Sequence, residues 1–414
     1  MRFILIPAML LLAGSAFASE RRAPPMPAKQ FPTLEERQAV ARYRAQHAAY
    51  RKAQIALERK AAAYWNAVES KRKRRLAKRA RGEATVLADY VLEQPPAYSG
   101  PPEPALPDFI PPSRAEPTPK RTGQPLPVVA DFLRDAKRRF NFVPEKPDDE
   151  SDYKRAYART ALAAGITKDQ AVRIYGFEAS GNGKYDVQAG LESGRKGRPI
   201  STALGYNQLL VANTIGLVAK YGKDFVAELE DRAAAASGER RRTLKRKIGA
   251  LRRMIRFARS IPYRWSRHVA MSGTAKGRAL HALILDVDIG PLLQTQKLVN
   301  SINYAKAKGY RKQLRAAELE MLNLTGDGNG FDMISLPQAM REKVPTANFF
   351  QRGGYERNPV ASRNNVAASL LEATDRKMDY HAALDGAKQL AAAFDKLMQE
   401  ARSEGSDAAV RAVR

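Results

Sequence analysis

The chain has 414 residues, no cysteine, and 71 Lys and Arg against 43 Asp and Glu, a formal net charge of +28. Without cysteine there is no disulfide, thiolate metal site, cysteine nucleophile or acylated cysteine tether, so stability must come from a packed core. The positive charge invites a nucleic-acid partner, but no recognisable nucleic-acid-binding motif accompanies the basic runs.

Residues 1 to 18 read as a signal peptide: Arg2 gives a positive start, Phe3 to Ala13 an apolar stretch, and Ala16-Phe17-Ala18 a small-x-small cleavage site. The apolar stretch is short for a membrane span, and no later run approaches about twenty apolar residues. The expectation is export to the periplasm, with no membrane span after signal removal and a mature start at Ser19. In that compartment the anionic partners are lipopolysaccharide, phospholipid and the carboxylates of peptidoglycan stem peptides, rather than nucleic acid.

Residues 33 to 82 read as one long helix opened by a Thr33-x-x-Glu36 capping box. Tyr43, Tyr50, Leu57 and Tyr64 recur every seven residues, while a second stripe of Val40, Ala61 and Val68 is interrupted by His47 and Gln54. The pattern allows a weak coiled coil, but so few heptads with so poor a second stripe fit better a single amphipathic helix lying on its own protein or acting as a spacer. The run Lys71 to Arg81 makes residues 19 to 94 a basic helical arm, able to hold anionic envelope components. About a dozen prolines between Pro95 and Pro127 favour extended polyproline conformations, so 95 to 127 reads as a linker.

From Val128 the pattern turns compact and mainly helical. Leu244, Ile248, Leu251 and Ile255 form an apolar stripe, and Ala279 to Val287, Leu292 to Ala307 and Leu314 to Leu324 are further candidate helices. Residues 184 to 203 lack helical rhythm and suit a small hairpin or irregular lobe. Residues 365 to 402 return to helix, and 403 to 414 read as a flexible tail.

Within this region Thr167-Lys168-Asp169-Gln170 is a capping-box pattern, Val172 and Tyr175 continue at helical spacing, and Gly181 and Gly183 end the run. Glu178 therefore falls in the last turn. There the negative end of the helix dipole opposes ionisation and favours a proton donor. By itself such a Glu is also what a solvated helix end looks like. A second segment follows, Ser201-Thr202-Ala203-Leu204-Gly205-Tyr206-Asn207-Gln208.

Glu178-Ala179-Ser180 followed by Gly205-Tyr206-Asn207-Gln208 and Leu209 to Thr214 resembles the catalytic Glu and the Gly-Leu-Met-Gln-like segment of lytic transglycosylases, members of the lysozyme superfamily. Ala179 stands where the family usually has Ser, the spacing between the two segments is longer than usual, and Leu322-Asn323-Leu324-Thr325-Gly326 is the nearest counterpart of the family's Ala-Tyr-Asn-x-Gly signature. The resemblance spans roughly residues 155 to 335. It implies a mainly α fold with a lysozyme-like catalytic domain over 128 to 402, bearing a small irregular or β lobe and preceded by the long helix and proline-rich linker.

The activity it implies is cleavage of peptidoglycan glycan strands between N-acetylmuramic acid and N-acetylglucosamine, without a cofactor or metal. Glu178 would protonate the bridging oxygen, then as carboxylate take the proton of the muramic C6 hydroxyl as a 1,6-anhydro ring closes. Ser180, Tyr206, Asn207, Gln208 and Asn323 would bind substrate, Gln208 by orienting sugar polar groups and Tyr206 by offering a stacking face. A hydrolytic muramidase would need a second group, for which Asp186 and Glu192 are candidates. A noncatalytic peptidoglycan-binding or scaffold protein would not need Glu178 protonated.

Other chemistries find less support. His47, His268, His281 and His381 are scattered, without metalloprotease spacing. Ser151 to Lys154 has no companion β-lactamase motif and reads as a helix start. In Asp327-Gly328-Asn329-Gly330-Phe331-Asp332, Phe331 stands where calcium would need an oxygen ligand, so the stretch reads as a tight loop.

Overall fold

The Thr33–Glu36 capping box forms: Thr33 N donates to Glu36 Oε2 at 2.6 Å and Glu36 N to Thr33 Oγ1 at 3.1 Å, and helix α1 runs Leu34–Ala80. The computed structural model describes residues 33–108, 125–191 and 197–412, with side chains through 403. The signal-peptide reading, part of the proline-rich segment and Glu192 lie outside the described residues.

The chain divides into two units: Met1–Ala56 with Tyr98–Lys120, and Leu57–Ala97 with Arg121–Arg414. In the first, the proline-rich segment does not hang free where it is described. The Tyr98 ring meets Tyr50 edge-on at 5.9 Å, and a Cβ at Gly100 would come within 2.5 Å of Ala53 Cβ, so only glycine permits that approach to α1.

The second unit contains the later half of α1 and its cation run, which corrects the reading of residues 19 to 94 as an arm set apart by a linker. Lys71, Arg72, Arg75, Lys78 and Arg79 recur at the spacing of an apolar helix stripe and occupy the covered face, while Leu76 is exposed. Arg75 is fully buried and donates to Asp332 Oδ2 at 2.7 Å and to the carbonyls of Asp89 and Asn348 at 3.0 Å. Arg72 donates to the Phe350 carbonyl, Arg79 to that of Gly328, and Lys71 to those of Ala88 and Tyr90. Long cationic side chains can be buried when their donors find acceptors and the stem packs on apolar surface, a condition that Arg75 meets at all three nitrogens, whereas Arg72 Nε and Arg79 Nε lack a partner. Here the face a sequence reader assigns to solvent is the docking face.

Two hydrophobic cores fill the rest of this unit. One gathers α2 (Val129–Phe140), α5 (Val211–Ala235), α6 (Gly238–Arg259) and α8 (Ala275–His281); Leu244, Ile248, Leu251 and Ile255 of α6 are all buried in it, as their spacing requires. The other gathers α3 (Glu150–Ala163), α4 (Lys168–Glu178), α10 (Ala316–Thr325), α11 (Asp327–Ile334), α15 (Ala367–Ala382) and α16 (Asp385–Ala412). Helix α9 (Gly290–Ala307) contributes to both, Leu293 to the first and Leu298 to the second. Short helices α7 (Trp265–Ser272), α12 (Gln338–Arg341), α13 (Arg352–Glu356) and α14 (Pro359–Arg363) complete a mainly helical molecule.

Residues 184 to 191 and 197 to 209 form the irregular lobe, tied by isolated bridges of Gln188 with Leu191 and Leu204, and of Leu204 with Leu209. Two further expectations are corrected. Asp327 to Asp332 is the body of α11 rather than a loop, because Gly326, at φ 83°, turns the chain between α10 and α11 and lets helix restart at once. The expected tail from 403 continues α16 to Ala412. Among the described residues, no helix is long and apolar enough to cross a membrane.

Candidate active site

Helix α4 begins as its capping box requires, Gln170 N donating to Thr167 Oγ1 at 3.2 Å and Thr167 N to Gln170 Oε1 at 3.1 Å. It ends on Glu178. Its Ile174, Tyr175 and Phe177 are buried, which anchors the final turn and holds Glu178 half-buried at the edge of the core.

Glu178 faces α10. Asn323 Nδ2 donates to Glu178 Oε1 at 2.8 Å and lies 3.5 Å from Oε1 of Glu320, one turn earlier on the same helix. Glu320 is fully buried, and its carboxyl lies beside that of Glu178, since the one Asn323 Nδ2 reaches an oxygen of each. Two carboxylates this close cannot both ionise in a poorly solvated site. Burial pushes Glu178 up to about 7, held from going higher by the bond from Glu320, by Lys377 and Lys297, and by Asn323. Burial and the Glu178 charge push Glu320 well above the carboxylate range. A group poised near neutrality can both give and take a proton.

Asn323 and Lys297 also line a cleft of about 670 Å³, a size that suits a small-molecule or oligomer subsite. One wall comes from the start of α5 and from α7, the other from residues 323 to 329 and 350 to 357, with Lys297 and Asn300 of α9 between them. Tyr263 and Trp265, 62% and 54% exposed, stand in the lining as open aromatic faces. His268, buried behind them, meets the Tyr263 ring edge-on at 5.3 Å and leaves Nε2 without a partner. Asn213, Gln351 and Arg357 add polar groups. Among the described residues, no cluster of His, Asp and Glu could hold a metal ion.

Of the residues singled out from sequence, Glu178 and Asn323 come together. Ser180 is exposed just beyond the helix end, at φ 54°. Tyr206, Asn207 and Gln208 do not form a sugar-binding face, and that expectation is corrected. Tyr206 is fully buried among Tyr153, Tyr157 and Tyr175, ring centroids 4.6 to 5.3 Å away, and its hydroxyl donates to Glu150. Asn207 is spent internally, accepting from Tyr157 Oη at 3.0 Å and donating to the Gln294 carbonyl at 3.1 Å. Gln208 Nε2 donates to the carbonyls of Val187 and Gly205 and its Oε1 is buried. The segment is a structural knot joining α3, α4 and α9. Asp186 is also elsewhere, with Glu150 and Tyr185 as its charged and aromatic neighbours.

Glu320, Lys297, Tyr263 and Trp265 escape sequence reasoning. The one available signal is that Glu320 precedes Asn323 by three residues, one helical turn, in a mainly apolar helix. No protein-family model, curated protein or solved structure matches this chain.

Proposed function

We propose that this protein is a periplasmic lytic transglycosylase that cleaves peptidoglycan between N-acetylmuramic acid and N-acetylglucosamine and releases 1,6-anhydro products. The observation that carries the reading is Glu178, a half-buried carboxyl at a helix end, raised to about 7 and hydrogen-bonded by Asn323 beside an open cleft. Protonated Glu178 gives its proton to the glycosidic oxygen as the bond to C1 breaks. Its carboxylate then takes the C6 hydroxyl proton as that oxygen closes on C1, so that one residue serves both steps.

The lyase reading is favoured over hydrolysis by the placing of the second carboxyl. Hydrolases that use two carboxyls place them to act from different sides of the sugar, whereas Glu178 and Glu320 both reach the same Asn323 Nδ2. Tyr263 and Trp265 offer the flat apolar faces on which sugar rings stack, and Lys297 and Arg357 complement carboxylates of muramic acid or its peptides. The signal-peptide pattern of residues 1 to 18 supports the compartment.

Digestion of purified sacculi followed by mass spectrometry tests this. Wild type is expected to release 1,6-anhydro muropeptides, and Glu178→Gln, which keeps the side-chain size but cannot exchange the proton, to lose about 10²–10⁴-fold in rate. Reducing-end products carrying labelled water oxygen would identify a muramidase. A folded wild type that binds sacculi and releases nothing would identify a scaffold.

A further inference from the structure

We propose that Glu320 is a positioning residue that keeps a proton in the buried wall of the site and donates it as a hydrogen bond to Glu178, so that the two carboxyls share a single negative charge. The part of this that concerns turnover rests on the transglycosylase reading; the sharing itself does not.

Three observations carry it. Glu320 is completely buried and makes no ion pair with a Lys or Arg among the described residues, so an ionised Glu320 would have no direct counterion. Its Oε2 is buried without a hydrogen-bond partner, and the shared reach to Asn323 Nδ2 makes the Glu178 carboxyl the acceptor at hand for an O–H there. Asn323 Nδ2, the only N–H among the described residues that reaches the pair, lies 2.8 Å from Glu178 and 3.5 Å from Glu320, and so favours negative charge on Glu178. Of the charged groups facing the pair, Lys377 of α15 favours the Glu178 carboxylate, while Lys297 of α9 acts on both carboxyls and is itself 3.9 Å from Asp327 of α11.

In the reaction, Glu178 loses its proton to the leaving oxygen and becomes the carboxylate that Glu320 O–H stabilises. Closure of the anhydro ring returns a proton to Glu178 from the C6 hydroxyl. Glu320 ends as it began, and no co-reactant is needed. Its contribution is made when Glu178 is charged, which is the state that follows bond cleavage.

The test compares Glu320→Gln, whose amide still donates, with Glu320→Met, which keeps length and loses the donor. With soluble glycan strands, Met is expected to lower the rate about 10- to 100-fold, the range of a hydrogen bond to a charged group, and Gln to lower it only about threefold. A second readout needs no substrate: in protein labelled with ¹³C at glutamate carboxyl carbons, Glu178 and Glu320 should titrate in two linked steps, and Glu320→Gln should reduce these to one at Glu178. Equal rates for the Gln and Met variants, or two carboxyls titrating independently, would overturn the proposal. Should Met fail to fold, the Gln variant and the titration decide it. Linked titration in a wild type that releases no product would leave the shared proton standing and remove the transglycosylase reading.

Discussion

Arg75→Met puts the docked cation face to a quantitative test. The guanidinium is fully buried, pairs with Asp332 (2% exposed) at 2.7 Å, donates to two carbonyls, and lies 4.3 Å from the centroid of the Tyr90 ring. Met fills much of the volume but leaves Asp332 with Tyr90 Oη and a more distant Arg79 at 3.8 Å. Removing one partner of a buried pair costs about 3–5 kcal/mol. For a unit of this size that corresponds to a fall in Tm on the order of 10 °C. Thermal and urea unfolding followed by circular dichroism measure it, with exposed Lys73→Met as a control expected within about 0.5 kcal/mol of wild type. Because the pair is sealed from solvent, the loss should persist in high salt. A loss below about 1 kcal/mol, or a chain beginning at Val128 that melts with the full-length protein, would refute the docking.

Activity on soluble glycan strands should decline as pH rises through about 7, since Glu178 must carry a proton to start the reaction; a pH–rate profile measures this. The same raised carboxyl adds stability below its unfolded value and loses it as pH rises toward about 7, so Glu178→Gln should melt above wild type at pH 8 and level with it at pH 4. Removing either open aromatic, Tyr263→Ala or Trp265→Ala, should weaken glycan binding about fivefold by calorimetry, the scale of one ring contact. Tyr206→Phe leaves the Glu150 carboxyl short of a donor and should cost about 1–3 kcal/mol in urea unfolding, while kcat on soluble strands stays at the wild-type value.

Local signals in the sequence were reliable where local physics decided the outcome. The capping boxes at Thr33 and Thr167, the end of α4 at Glu178 and the buried stripe of α6 all follow from residue spacing and hydrogen-bond demand. Readings failed where tertiary partners set the meaning of a residue. Cations at helical spacing look solvated until Asp332 and the carbonyls of Asn348 and Phe350 are known to lie against them. Glycines at 328 and 330 look like turn residues, yet a Cβ on Gly330 would collide with the Leu322 backbone, so the small residue serves close packing of α11 on α10. Glu320 sits in a mainly apolar helix beside the capping Glu318, where its position carries no mark of the second carboxyl that the fold brings to it from Glu178.

The partners of Arg75 stand 257 and 273 residues further along the chain, in Asp332 and Asn348. During synthesis the amino-terminal half emerges long before those acceptors exist, and it holds a helix whose inward face is cationic and therefore well hydrated while it waits. Contacts this distant are made late, because a long loop must close first. Assembly of α1 onto the body should accordingly be a closing step, and an intermediate lacking it would keep its charge on the outside, which discourages aggregation at the stage when a growing chain is most exposed to it.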